Sequence, residues 1–227
     1  MPGAEPGLAY FRDRGLTVSR DPDWLAWARE IQAIAQTGLA FTKDPYDAER
    51  YVSLRALAAR IMAAHTDSSA DRILDLFSRE AGYATPKIDV RGAVFDGAGR
   101  ILLVREALDG GRWTLPGGWA DVNQTLSECV LREIREESGY IAKIGKLAAV
   151  WDRTRQGHPP GPFSMAKVCF VCKLEGGAPS VSLETSGVGW FSEEALPGDL
   201  SLGRTLPHQL QRMFTHWREP SLPTEFD

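Results

Sequence analysis

Three glutamates, Glu133, Glu136 and Glu137, crowd one short helical stretch between a glycine turn at Gly117-Gly118 and another glycine at Gly139. On an ideal helix each residue advances by 100°, so the three fall within an arc of roughly 100°. Like charges at i,i+3 and i,i+4 repel. They also crowd the C-terminal end, where the helix dipole disfavours anions. Two adverse terms at one place call for a compensating charge. A divalent cation supplies it, and oxygen-only donors favour Mg²⁺, with Mn²⁺ as the alternative. The competing reading is a solvated acidic face bridged to Arg132 and Arg135.

Upstream of this stretch the apolar period is helical. Asp21-Pro22 is expected to start a helix, with Asp21 as cap. Trp24, Trp27, Ala28, Ile31, Ile34 and Ala35 form its stripe, and Gly38 is expected to end it. Asp44-Pro45 starts a second helix with Tyr51, Leu54, Leu57, Ala58 and Ile61 as its stripe. A third covers Ser69 to Arg79. Three short helices bury little alone. Their stripes are expected to pack on each other, on a second domain or on another copy, and a homodimer follows as the expected assembly.

After the linker Gly82 to Pro86 the pattern changes to Val-, Ile- and Leu-rich runs. Lys87 to Phe95 and Arg100 to Arg105 form a hairpin around Asp96-Gly97-Ala98-Gly99. Trp113 to Leu115 is a short strand stopped by Pro116, and the acidic helix runs from Thr125 to Ser138. Strands follow at Tyr140 to Trp151, Phe163 to Leu174 and Val188 to Phe191, and a last helix covers Thr205 to Trp217. Strands interleaved with helices predict an α+β chain with a mixed sheet covered on both faces, behind a small all-helical domain. The expected divisions are a loose lead-in over 1–20, a helical domain over 21–81, a second domain over 87–217 and a frayed tail over 218–227.

Composition narrows the function classes. The 227-residue chain carries a formal net charge of −4, so no global basic field attracts nucleic acid. No run of about 18 apolar residues predicts a membrane span. The first ten residues lack the pattern of a secretory signal. Three sparse cysteines, Cys129, Cys169 and Cys172, suggest a reducing cytoplasm. Cys169 and Cys172 lie an odd number of residues apart on a strand, so they face opposite ways and cannot share a metal.

The pattern Gly118, Arg132, Glu133, Ile134, Glu136, Glu137, Gly139 resembles the Nudix box in register, and Trp113 to Gly118 resembles its usual lead-in. The likeness covers about Lys87 to Trp217. It implies a Nudix α/β/α sandwich and hydrolysis of a phosphorus anhydride. One position departs: the first glutamate of the box is Gln124 here, which can hydrogen bond but cannot pair ionically with Arg132. Trp24 to Gly38, Asp44 to Asp47, Gly82 to Lys87 and Leu200 to Arg204 resemble a Nudix subgroup with an N-terminal helical domain, near the bacterial CDP-choline pyrophosphatases.

The resemblance implies a substrate in which a nucleoside diphosphate is linked to another moiety X: CDP-choline, ADP-ribose or a nucleotide sugar. The products are a nucleoside monophosphate and X-phosphate. It implies Glu136 and Glu137 as metal ligands, Glu133 as ligand or water-orienting carboxylate, and the Gly117 carbonyl as a further ligand. Arg132 is expected to hold Glu136 through an i,i+4 contact. Glu184 is a candidate base or ligand. Arg105 and Arg112 are candidate phosphate clamps or surface arginines, and Trp119 a site residue or a core one. Asp152, Arg153 and His158 are candidates for contacting the base or X, with a surface loop as the alternative for His158. A nucleotide-binding regulator without turnover and an RNA-processing hydrolase are the competing functions.

Overall fold

The computed structural model describes residues 21–227, so the expected lead-in falls mostly outside the described residues. Two compact units emerge. One comprises Ile88–Pro159 and Met165–Asp227; the other comprises the described part of Ser19–Lys87 together with Pro160–Ser164.

In the helical unit, α1 (Asp23–Phe41), α2 (Pro45–Ala63) and α3 (Ala70–Ser78) follow the sequence expectation in number and order. Asp44 caps α2 by accepting from Tyr46 N and Asp47 N, and Ser69 caps α3. Three expectations change. Asp21 caps nothing: Pro22 is the N-cap residue, and Asp21 pairs with Arg29 instead. Gly38 does not end α1, which continues to Phe41. A Cβ there would stand 2.4 Å from the Tyr51 ring, so the missing side chain lets α1 and α2 approach. The buried line of α1 is Leu25, Ala28, Gln32, Ala35 and Gln36, rotated from the expected stripe. Together with Ala58, Met62, Ile73 and Phe77, Leu25 and Ala28 form the core of this unit, with Phe163 packed against it. Arg29 donates to the Gly161 carbonyl, fastening the 160–164 segment. Trp27, Ile34 and Phe41, seven residues apart, stay 61%, 51% and 67% exposed along one line.

The second unit is a seven-stranded sheet among the described residues. Its strands are β1 (Lys87–Phe95), β2 (Ile101–Glu106), β3 (Arg112–Thr114), β4 (Tyr140–Asp152), β5 (Met165–Gly177), β6 (Thr185–Phe191) and β7 (Glu225–Phe226). The order is β3-β2-β1-β5-β4-β7, with β6 also paired to β2. The β4–β7 pair is parallel and the β4–β5 pair antiparallel, so the sheet is mixed as expected. Helix α4 (Leu126–Ser138) covers one face, packing Cys129, Val130 and Ile134 on Val90, Val94, Leu102, Val168 and Phe170. Helix α5 (Pro207–Arg218) covers the other, packing Leu210, Met213 and Phe214 on Ala93, Phe95, Ile101 and Leu103. Alternation along the strands decides which residues meet which helix. Cys169 joins the α5 side and Cys172 the α4 side, and all three cysteines are free and buried.

The tail is not frayed. Lys146 donates to the Pro220 and Leu222 carbonyls, Thr224 donates to Leu147, and Glu225 meets Arg212 and His216. Its partners lie far away in sequence, so local polarity could not reveal them. No described helix is long and apolar enough to cross a membrane.

The register between β1 and β2 positions the site. The two strands pair at Phe95–Ile101, at the closed end of the hairpin. Farther along, β1 bonds instead to the chain after β3: Gly92 N to Pro116 O, Val90 N to Gly118 O, and Ala120 N to Ile88 O. The Pro116–Ala120 segment thus lies along β1 and delivers the chain into α4.

Candidate active site

Helix α4 is fixed at both ends by its own sequence. Thr125 and Glu128 form a reciprocal capping box, and Gly139 closes the helix in the left-handed conformation at φ 76°. Its apolar side presses on β1 at Gly92, where a Cβ would stand 2.6 Å from Ile134 Cδ1. This seating turns Glu133 and Glu137 toward the glycine segment. Glu137 is buried, and its Oε2 accepts from Gly117 N at 2.8 Å. Its backbone carbonyl accepts from Thr185 Oγ1 at 2.7 Å, tying the helix end to β6.

Gly117 is obligatory on two counts. Its φ is 139°, in the region that favours glycine, and an added Cβ would stand 2.0 Å from the Val90 carbonyl oxygen. Its carbonyl is not used in the ladder to β1, which takes Pro116 and Gly118.

Arg132 organises the outer side. Its Nη1 reaches Glu136 at 2.8 Å, and its Nη2 reaches Glu133 at 2.9 Å and Asp121 at 2.7 Å. Its Nε donates to Gln124 Oε1 at 3.2 Å. Gln124 thus keeps the hydrogen bond, while Asp121 provides the negative charge that a glutamate at Gln124 would have added.

Burial pushes the Glu137 carboxyl up to about 7; the Glu133 and Glu106 charges push the same way, against Arg91 and the Gly117 amide. Burial also raises Glu133, with Glu136 and Glu184 adding to it and Arg132 opposing. The charges of Glu106 and Glu184 therefore act on the helix glutamates. As placed, no three described His, Cys, Asp or Glu side chains are gathered closely enough to hold a metal. Arg132 instead spans two of the carboxylates. In kind, however, the donor set fits a hard divalent cation: carboxylate oxygens, partly buried and mutually repelling.

The other sequence candidates separate. Glu184 is exposed, and its backbone carbonyl takes Ala107 N at 2.8 Å, which holds its loop against the end of β2. Arg105 lies on the α5 side, 4.8 Å over the Trp113 ring and 3.6 Å from Asp199. Arg112 is exposed and pairs with Asp109 at 2.9 Å. Neither arginine is brought to the carboxylates by these contacts. Trp119 is 49% exposed, so it is not a core residue. Asp152 caps the turn Arg153–Arg155 through Thr154, and Arg153 is buried and donates to the Pro159 carbonyl.

His158 is not a surface residue. It is buried, with Nδ1 2.7 Å from Leu202 O and Nε2 3.1 Å from the Gln209 amide nitrogen. Burial, with Lys167 nearby, holds its pKa down at about 3. The ring is therefore neutral, donating from Nδ1 and accepting at Nε2. Both nitrogens are engaged within the protein.

Sequence reasoning missed two groups. Glu106 ends β2 on the α4 side, in line with Leu102; its alternation was the available signal. Asp89, Arg91 and Lys167 form a buried ionic cluster. Arg91 grips Asp89 through Nε and Nη2 and donates from Nη1 to Leu115 O at 3.0 Å, two residues before Gly117. Two cations on one carboxylate leave a positive excess, which offsets part of the cost of burying Glu137 nearby.

Residues 22–77 match the family described as UDP-X-like, N-terminal oligomerisation domain, and residues 85–210 match the NUDIX domain. YjhB of Bacillus subtilis (strain 168), provisionally named an ADP-ribose pyrophosphatase, is 44% identical over 90% of this chain and 97% of its own length. A crystal structure of a UDP-X diphosphatase aligns with 90% of this chain and 98% of its own, at 32% identity and a TM-score of 0.57. An ADP-ribose pyrophosphatase from Streptococcus suis 89-1591 aligns with 63% of this chain and 100% of its own, at 36% identity and a TM-score of 0.57.

Proposed function

This chain belongs to the Nudix family and is a pyrophosphohydrolase; from that premise we propose that it hydrolyses the diphosphate bond of a nucleoside diphosphate linked to a moiety X, using Mg²⁺ or Mn²⁺. ADP-ribose and UDP-linked compounds head the substrate class, because the relatives that match along most of the chain or of their own length carry those names. CDP-choline belongs to the same class. The observation that carries the proposal is the buried Glu137 carboxylate, fixed on the Gly117 amide beside Glu133 and Glu136 on the same helix.

Glu136, Glu137, Glu133 and the Gly117 carbonyl are the residues that would hold the cation. When bound, it supplies neutralisation of the diphosphate charge and acidification of water. Glu137 is oriented by Gly117 N, so the helix end and the glycine segment act as one rigid mount. We assign acceptance of the attacking water's proton to Glu133 or Glu184, carboxylates on separate elements. Arg132 orients Glu133 and Glu136 and keeps them from collapsing on other donors. The attack breaks one P–O bond of the bridge and leaves a nucleoside monophosphate and X-phosphate. The three free, buried cysteines agree with a cytoplasmic setting.

A panel of ADP-ribose, UDP-sugars, CDP-choline, nucleoside triphosphates and short RNA tests this. Monophosphate release is expected from at least one NDP-X compound, and removal of divalent ions with EDTA is expected to abolish it. Nucleotide binding without turnover would point to a regulator; turnover confined to RNA would point to RNA processing.

The assembly we propose is a homodimer through the helical unit. Its support is the exposed line of Trp27, Ile34 and Phe41 and the match of residues 22–77 to an oligomerisation domain. Ile34→Glu is expected to convert the dimer to a monomer in light scattering. A wild-type monomer, or a variant that stays dimeric, would exclude this surface.

A further inference from the structure

Resting on the reading just given, we propose that Glu106 is a further carboxylate of the divalent-cation centre and that Arg204 is a built-in counter-ion that occupies it when the cation is absent. Glu106 is 7% exposed and ends β2 on the face that α4 covers. Its Cα partner across β6 is Thr185, and Thr185 Oγ1 bonds the Glu137 carbonyl. The next residue, Ala107, donates to the Glu184 carbonyl at 2.8 Å. Glu106 is therefore two contacts from Glu137 and one residue from the bond that fixes the Glu184 loop.

A buried glutamate next to other glutamates is costly without a cation. Arg204 supplies one, with Nε 3.1 Å from Glu106 Oε2. The turn carrying Arg204 is firmly mounted. Ser201 Oγ donates to Asp109 Oδ2 at 2.6 Å, and Ser201 N donates to the Trp113 carbonyl at 2.8 Å. Arg204 N and Thr205 N both return to the Ser201 carbonyl. Arg132 does the same on the outer side, spanning Glu133 and Glu136. Two arginines thus engage the carboxylates, Arg204 at Glu106 and Arg132 at Glu133 and Glu136. A cation entering the centre competes with Arg204 for Glu106. Arg204 is a positioning residue; it acts through Glu106.

The two roles predict opposite signs. Mn²⁺ binding to the full chain, without nucleotide, is measured by calorimetry and by electron paramagnetic resonance. Glu106→Gln keeps the shape and a hydrogen bond to Arg204, and is expected to weaken Mn²⁺ binding by at least about tenfold, the scale of losing a metal's immediate support. Arg204→Gln removes the competitor and is expected to tighten Mn²⁺ binding by about two- to tenfold. Glu106→Asp, with its charge kept and its reach shortened, is expected to lie between wild type and Glu106→Gln. Opposite shifts support the proposal, because general loosening of the turn would weaken both variants alike. A Glu106→Gln isotherm equal to wild type, or equal weakening in both variants, overturns it while leaving NDP-X hydrolysis standing. A wild-type chain that binds no Mn²⁺ overturns the functional reading as well.

Discussion

Glu137→Gln is expected to lower kcat by about a thousandfold, equivalent to about 4 kcal/mol of lost transition-state stabilisation, while the protein keeps its fold. Gln has the shape of Glu and still offers an oxygen to Gly117 N, the contact that mounts the helix end on the glycine segment. What it removes is the charge. In the folded protein that charge is disfavoured by burial and by the neighbouring Glu133 and Glu106. A neutral side chain relieves both, so the melting temperature measured without divalent ions is expected to equal or exceed that of wild type. Stability held while activity falls is the signature of a residue kept for function at a cost to the fold. Glu136→Gln is expected to cost less, about a hundredfold. Glu136 is more exposed than Glu137, and its carboxylate meets Arg132 Nη1 at 2.8 Å. Steady-state kinetics with circular dichroism melting checks both. Loss of structure in Glu137→Gln would show that the carboxylate serves packing, and unchanged kcat would remove it from the site.

Gly117→Ala is the second large effect, and it acts through the backbone. The new Cβ would stand 2.0 Å from the Val90 carbonyl oxygen and 3.0 Å from Arg91 Cα, at a φ of 139°. Neither neighbour is the end of a flexible side chain; both belong to β1. The chain must therefore move off β1, which breaks the bonds from Val90 N and Gly92 N and shifts the amide that holds Glu137. Strain of this kind costs about 3 kcal/mol or more, a drop of roughly 6–12 °C for a chain of this size. Activity is expected to fall at least a hundredfold, since about 1 Å of misplacement is that costly. Gly203→Ala is the control: nothing lies within 4 Å of its added Cβ, and it should leave the melting temperature and kcat near wild type. Equal behaviour of the two variants would contradict the geometry assigned to Gly117.

The acidic helix was legible because its signals are local. Glu133, Glu136, Glu137 and Ile134, with Gly139 at the end, all belong to the element they define. The hairpin and its turn were legible for the same reason. What escaped depends on contacts between residues distant in the chain. Glu106 looks like the polar end of a strand until β6 brings Thr185 across from it. Asp89, Arg91 and Lys167 look like solvent-facing breaks in apolar strands, yet they neutralise one another inside the sheet. Gly38 carried a helix-stop signal, but the Tyr51 ring from α2 gives the glycine a packing role instead. His158 looked exposed because its loop is rich in Gly and Pro; Leu202 and Gln209 bury it from the other end of the unit. The tail looked frayed because Lys146, Arg212 and His216 lie outside its own sequence window.

The central claim is that the carboxylates around Glu137 exist to run a cation-dependent cleavage of a diphosphate bridge. Phosphorus-31 resonance of ADP-ribose or a UDP-sugar incubated with the enzyme tests it directly, once with Mg²⁺ and once with EDTA. With Mg²⁺, the paired diphosphate signals should give way to two phosphomonoester signals growing in equal amounts, and with EDTA the spectrum should not change. Intact diphosphate under both conditions, or equal cleavage in EDTA, would contradict it.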